Sequence, residues 1–200
     1  MNPELRTSII KTIKERNLIS FSCYDFVEHA SYKAVNKCLE RMEDEGFLVR
    51  IVPGIYCLYE FDASLNVKIY PSIDNIVHTI ARKHRWTICP SGNTALNVMG
   101  LSTQVVASYT YLSDGPYKEY EILGNNVALK RTMNRDIAGL SYKTMLLVQC
   151  IKALGKEYVS EKDKSKLSSK LTIDDKSAAL SEATSIPAWI RNVVVDICRR

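Results

Sequence analysis

The chain has 200 residues, 46% of them hydrophobic and 24% charged, with a formal net charge of +5. This balance is that of an ordinary globular protein and excludes disorder over most of the length. No apolar run reaches the roughly 18 residues that a membrane span requires. The opening M-N-P-E-L-R-T-S-I-I-K has no continuous apolar stretch of the signal-peptide kind. A cytoplasmic protein with no membrane partner is therefore expected.

The charge is unevenly spread. Residues 1–62 carry 8 Lys/Arg against 10 Asp/Glu, residues 63–159 carry 11 against 6, and residues 160–200 carry 8 against 6. Any nucleic-acid surface in the first third must be a local patch rather than a basic domain. The six cysteines, Cys23, Cys38, Cys57, Cys89, Cys150 and Cys198, form no C-x-x-C pair and mostly sit among apolar residues. They read as buried, reduced thiols rather than zinc ligands. His29, His78 and His84 have no evident partners in sequence. Neither a metal nor a cofactor is expected.

In chain order, P-E-L-R-T-S-I-I-K-T-I-K-E-R over residues 3–16 reads as an amphipathic helix, with Pro3 in its first turn and Leu5, Ile9, Ile10 and Ile13 at helical spacing. Ser22 followed by Asp25 is an S-x-x-D cap that opens a short second helix, with Phe26 and Val27 as its buried side. Ser31 opens a third helix whose stripe is Val35, Leu39 and Met42 and whose stop is Gly46. Two β-rich runs around Pro53-Gly54 read as a hairpin. Three helices followed by a hairpin is the order of a winged helix-turn-helix. In that motif the second helix of the pair enters the major groove, N-terminal part first. With Val35 and Leu39 inward, Tyr32, Lys33, Asn36 and Lys37 face outward near its start. Asn suits adenine and Lys suits guanine or phosphate. Ser31 and nearby amides suit a phosphate, and Arg50 on the wing suits phosphate or the minor groove. The acidic run Glu43-Asp44-Glu45 must then point away from DNA. The alternative is a solvated helix face on a small protein-interaction module.

Residues 62–72 read as a connector. A helix follows, capped by Ser72, with Ile73, Ile76, Val77 and Ile80 as its stripe. W-T-I-C is a short buried strand ended by Pro90. V-V-A-S-Y-T-Y-L-S is a strand that stops at Asp114-Gly115-Pro116, and Y-K-E-Y-E-I-L pairs with V-A-L-K-R-T around Gly124-Asn125-Asn126 in a small antiparallel sheet. Three helical segments follow Ser141: a strongly apolar one, a Lys/Ser-rich exposed one over 160–183, and one begun by Pro187. The expected fold is thus α+β: a winged helix-turn-helix over 1–62, then residues 63–200, of which 63–138 are α+β and 139–200 helical.

Residues 90–102, P-S-G-N-T-A-L-N-V-M-G-L-S, invite a chemical reading. A serine nucleophile elbow needs G-x-S-x-G, and a phosphate loop needs G-x-x-x-x-G-K-[ST]. Neither is present, and the nearest acids, Asp74 and Asp114, are far apart in sequence. No catalytic residue is assigned, although an enzyme using the Ser91 turn is a formal alternative. Local physics makes Ser91 a helix N-cap, puts Asn93 and Thr94 in the first turn, turns Ala95, Leu96, Val98 and Met99 inward and ends the helix at Gly100. The exposed turn Ser91, Asn93, Thr94 can still bind an anion or a partner.

This stretch, extended through L-S-T-Q-V and followed by Y-T-Y-L-S-D-G-P, resembles the signature of the AbiEi-like antitoxins, and more narrowly the DUF6088 branch of type IV toxin–antitoxin systems. S-C-Y-D-F, S-Y-K-A-V-N-K-C-L-E-R-M and V-P-G-I-Y-C-L are similar to that family's helix start, recognition helix and wing. The resemblance covers about residues 1–140. Two positions depart from the pattern: Val106 replaces a proline after Q-V, and Pro53 stands in the wing where a basic or small residue is usual.

The resemblance implies a two-part, non-enzymatic protein. Its N-terminal winged helix would repress its own operon by binding double-stranded operator DNA through Ser31, Tyr32, Lys33, Asn36, Lys37 and Arg50. Its second domain would counter a nucleotidyltransferase-type toxin without needing a stable complex. Arg82, Lys83, Arg85, Lys130 and Arg131 are accessory phosphate or partner contacts on this reading. The alternative is a winged-helix protein-interaction module without specific DNA binding.

Overall fold

The computed structural model describes residues 3–132 and 139–200 and is an α+β protein. It divides into two compact units, Met1–Trp86 with Glu121–Gly124, and Thr87–Tyr120 with Asn125–Arg200. The first unit runs past residue 62, where a boundary was expected, and takes in the next helix. The expected division at 138 lies outside the described residues.

In the first unit, helix α1 (Pro3–Glu15) buries Leu5, Ile9 and Ile13, as its spacing requires. Strand β1 (Ser20–Phe21) leads into a 3-10 turn, Cys23–Phe26. The Ser22/Asp25 capping box is formed, but it opens a single 3-10 turn rather than an α-helix. Phe26 is buried against Phe21 with ring centroids 5.4 Å apart. Val27, expected inside, is exposed because the turn ends before a second apolar position can face the core. Helix α2 (Tyr32–Asp44) is capped by Ser31 and buries Val35, Cys38, Leu39 and Met42. Gly46 follows its end at φ 74, the left-handed conformation that glycine adopts without cost.

Strands β2 (Val49–Val52) and β3 (Ile55–Cys57) pair antiparallel and close with Val52 opposite Ile55. Pro53 and Gly54 occupy the turn, with Gly54 at φ 75. Proline at the first central position and a positive φ at the second is the combination of a type II turn. Strand β1 adds to β3, giving the order β1-β3-β2. Residues 62–72 are not a plain connector: β4 (Glu60–Asp62) and β5 (Val67–Ile69) form a second hairpin. Helix α3 (Ile73–His84), capped by Ser72, buries Ile73, Ile76, Val77 and Ile80 and packs on β1 and β3. The core of the unit joins α1, α2, the 3-10 turn and β3 through Ile9, Phe21, Phe26, Leu39, Met42 and Tyr56.

Strands β6 (Ile88–Pro90), β7 (Ser108–Ser113), β8 (Lys118–Ile122) and β9 (Asn125–Arg131) form a sheet of order β6-β7-β9-β8, which belongs to the second unit apart from Glu121 and Ile122 of β8. β6 and β7 run antiparallel as expected, but β7 and β9 run parallel. The chain leaves β7, passes to the sheet edge as β8 and turns back, so β9 enters between them in the direction of β7. The turn is Leu123-Gly124, one residue earlier than expected, with φ 50 and φ 74. Two successive positive φ values define the tight hairpin turn that matches strand twist.

Helices α5 (Tyr142–Leu154), α6 (Glu161–Ser169), α7 (Ile173–Glu182) and α8 (Ala188–Cys198) complete the unit. The Lys/Ser-rich segment is thus two helices rather than one, each started by its own capping box, Ser160 with Asp163 and Thr172 with Asp175. Every residue of α5 from Thr144 to Ile151 is buried, so the helix is covered on all sides, by α4, α7, α8 and β6. Among the described residues no helix is long and apolar enough to cross a membrane.

All six cysteines are free and buried. Burial pushes the Cys57 thiol up to about 11 and the Cys150 thiol up to about 12. Because the thiolate is the reactive form, native protein at pH 8 should give almost no reaction with Ellman's reagent. All six thiols should react once the chain is unfolded in guanidinium. Rapid native labelling of two or more would contradict this packing.

Candidate nucleic-acid interface

The outer face of α2 is the first candidate. Ser31 caps the helix, its hydroxyl accepting from the Ala34 amide at 3.4 Å. Tyr32, Lys33 and Lys37 are exposed. Lys33 and Lys37 lie one turn apart and make no ion pair among the described residues. Arg50, on β2 opposite Tyr56, is likewise exposed and unpaired among those residues. Tyr32 leans on Tyr24 of the 3-10 turn, with ring centroids 5.2 Å apart and planes 48° apart. Partial burial and the neighbouring Cys23 raise the Tyr32 phenol above its ordinary value.

Asn36 is half-buried and engaged at both ends of its amide. The Cys23 thiol donates to its Oδ1 at 3.2 Å, and its Nδ2 donates to Glu40 at 2.6 Å. A thiol donor on one side and a carboxylate acceptor on the other fix which way the amide points. Bidentate reading of adenine uses both ends of the amide, so a base would have to share or displace the bonds to Cys23 and Glu40. At the acidic end of α2, Glu45 is ion-paired to Arg6 of α1.

The basic run at the end of α3 is not uniform. Arg82 is committed inward: Nε donates to Asp25 at 2.8 Å, and Nη2 donates to Asp25 at 3.3 Å and to the Ser20 carbonyl at 3.2 Å. Lys83 Nζ donates to the Pro53 carbonyl at 3.1 Å. Arg85, at φ 58, caps the helix and is exposed. Residues 82–85 form one wall of a cleft of about 530 Å³, with Tyr24 and Val27 on the other. Asp25 thus serves two partners, since its carboxylate also accepts from the Ser22 amide at 2.7 Å. Sequence reading found the S-x-x-D cap but not this second role, for which the 57-residue separation leaves no local signal.

The remaining candidates lie in the second unit. Helix α4 (Asn93–Val98) has Gly92, not Ser91, as its N-cap, with φ 56 and no side-chain capping bond. Ser91 is used instead by β7: its amide and hydroxyl both donate to the Thr110 carbonyl, at 2.9 and 3.4 Å. Thr94 is buried, and its hydroxyl accepts from the Thr110 amide at 2.9 Å. The stretch is therefore a clip between α4 and β7, and of the three candidates only Asn93 is exposed. Val98, expected inside, is exposed because this short helix ends there. Gly100 follows at φ 71, as a helix stop should. Lys130 and Arg131 are exposed at the end of β9, opposite Leu112 and Ser113.

Residues 7–178 match the model of the DUF6088 family, a family of unknown function, and the chain belongs to that family. No curated protein matches it.

Replacing Thr94 by Val keeps the shape but leaves the Thr110 amide without its acceptor. Orphaning a buried donor costs about 1–3 kcal/mol. Urea unfolding followed on the second unit should show a loss of that size, whereas Asn93→Ala should change little.

Proposed function

We propose that the protein is the antitoxin and transcriptional autorepressor of a type IV toxin–antitoxin operon. Its first unit is read as a winged helix-turn-helix, with the 3-10 turn and α2 as the helix-turn-helix pair and β2–β3 as the wing. The observation that carries the reading is the pair Lys33 and Lys37 on the first turns of a capped helix, exposed and without an ion pair among the described residues. Other cations of the unit, Arg6, Arg16 and Arg82, are tied to carboxylates. Lys33 and Lys37 thus keep their charge where a recognition helix would meet the groove. Tyr32 and Ser31 border it, and Arg50 supplies a wing contact. Lys33 and Lys37 contact phosphate or guanine, and Asn36 offers its Nδ2 donor. The second unit counters a nucleotidyltransferase-type toxin, and the protein works in the cytoplasm. Support for this part is the resemblance of residues 90–116 to the antitoxin signature.

A second reading is favoured by the exposed Tyr24, Val27 and Tyr32 beside the same face. Apolar side chains grouped on a surface suit a protein partner. On that reading Lys33→Ala and Lys37→Ala leave promoter output unchanged but lose a pull-down partner.

The deciding measurement is a gel shift with duplex DNA from upstream of the protein's own gene, titrated against salt. The repressor reading expects binding well above that to an unrelated duplex. It expects Lys33→Ala and Lys37→Ala each to lower the salt slope by about 1, as loss of one phosphate contact does. Equal binding to any duplex sinks specific repression. Growth rescue on co-expression with a neighbouring nucleotidyltransferase gene tests the antitoxin half.

A further inference from the structure

From the way α3 is bonded we infer that Arg82 and Lys83 are positioning residues, which brace the DNA-reading elements rather than touch DNA. This rests on the DNA-binding reading of the first unit. α3 is the only element described whose side chains reach both the 3-10 turn and the β2–β3 turn, the two segments that flank a recognition helix and form its wing.

The first strut is Arg82. Its guanidinium spans both oxygens of Asp25 and adds the Ser20 carbonyl. Asp25 is the residue that caps the 3-10 turn through Ser22. A forked pairing of this kind fixes orientation as well as distance. To reach a phosphate, Arg82 would have to release three bonds and leave the Asp25 carboxylate, 12% exposed, without its cation.

The second strut is Lys83. The Pro53 carbonyl belongs to the central peptide of the β2–β3 turn, which has no strand partner to accept from, and Lys83 Nζ donates to it. The approach is close: a Cβ added at Gly54 would stand 2.7 Å from that nitrogen. A third contact sits one turn back on α3, where the Thr79 and Ser20 hydroxyls meet at 2.7 Å, both buried. One helix thus holds β1, the 3-10 turn and the wing turn in a fixed relation. Arg85, exposed at the end of the same helix, is outside this network and stays available to phosphate.

Salt dependence separates a brace from a phosphate ligand. A lost phosphate contact lowers the slope of log affinity against log salt by about 0.9. A lost brace lowers affinity at every salt concentration and leaves the slope alone. The experiment measures binding of the upstream duplex from low to moderate salt for the full chain and for R82M, R82K, K83M and R85A. R82M and K83M should bind about tenfold more weakly, which is the factor that 1.4 kcal/mol represents, with the wild-type slope. R82K keeps the charge but not the fork, so it should resemble R82M. R85A should lose about one unit of slope. A unit loss of slope in R82M or K83M, or unchanged affinity in both, overturns the brace.

Hydrogen exchange on the free proteins gives a readout independent of DNA. Amides of residues 22–26 should exchange faster in R82M and R82K, and those of 54–57 faster in K83M, with α1 unchanged. Unchanged protection in those segments overturns the inference even if binding falls. Should the wild type not bind the duplex, the DNA reading fails and the exchange data alone decide the brace. Should R82M not fold, R82K decides the first strut.

Discussion

Four residues between β1 and α2 form too few backbone bonds to hold themselves in place, and the first unit depends on what holds them. A single 3-10 turn has little cooperative stability of its own. Here it is fixed from three sides. Phe26 is buried against Phe21, Asp25 closes a capping box on Ser22, and the outer edge of the same carboxylate is taken by Arg82. The Cys23 thiol adds a contact to Asn36 on α2. Remove these and α2 keeps its own cap but loses the neighbour that sets its angle. An apolar ring, a carboxylate and a thiol within four residues thus do the orienting work that a longer helix would do by area alone.

The first third of the chain has more acid than base, yet its acids are not spread evenly over the surface. Glu45 is paired with Arg6, Glu28 with Arg16 and Asp25 with Arg82. The first two pairs lie at the surface and contribute little stability, but all three neutralise charge locally. What remains on the front of α2 is positive apart from Glu40, which is partly spent on Asn36. A stretch with no excess of base can therefore present a cationic patch. Net charge, the first number read from a sequence, is a poor guide to such a surface because it cannot say which charges cancel.

Helical periodicity and caps were legible in the sequence. Ser31 and Ser72 cap α2 and α3, and the stripes Val35-Leu39-Met42 and Ile73-Ile76-Val77-Ile80 are buried as their spacing implies. The misses share a cause. Ser91 has the residue type of an N-cap, but a competing acceptor, the Thr110 carbonyl 19 residues away, claims it. Arg82 has the look of a free cation, but its carboxylate lies 57 residues back. The β4–β5 hairpin was hidden because its strands are three residues each and Asp62, Ser64 and Asn66 gave the segment a loop-like composition. Local bonding preferences are written locally. Which of several possible partners a polar side chain takes is decided by tertiary neighbours. Among the candidate DNA contacts, Lys33 and Lys37 stand exposed as the helix pattern implied, while Asn36, Arg82 and Lys83 were read without the bonds that occupy them.

The strand order β6-β7-β9-β8 has a bearing on how the molecule behaves in a crowded solution. Placing β9 inside leaves β6 and β8 as the two rims of the sheet. A rim strand offers unpaired amides and carbonyls to any passing chain and is where sheet-to-sheet aggregation begins. Both rims are unsuited to such growth. β6 ends in Pro90, which has no amide hydrogen to lend and which sheets tolerate only at such positions. β8 bears Lys118, Glu119 and Glu121 along its five residues, charges that a second strand would have to strip of water to dock. The same topological detour that makes one pair of strands parallel thus puts the two least adhesive strands on the outside.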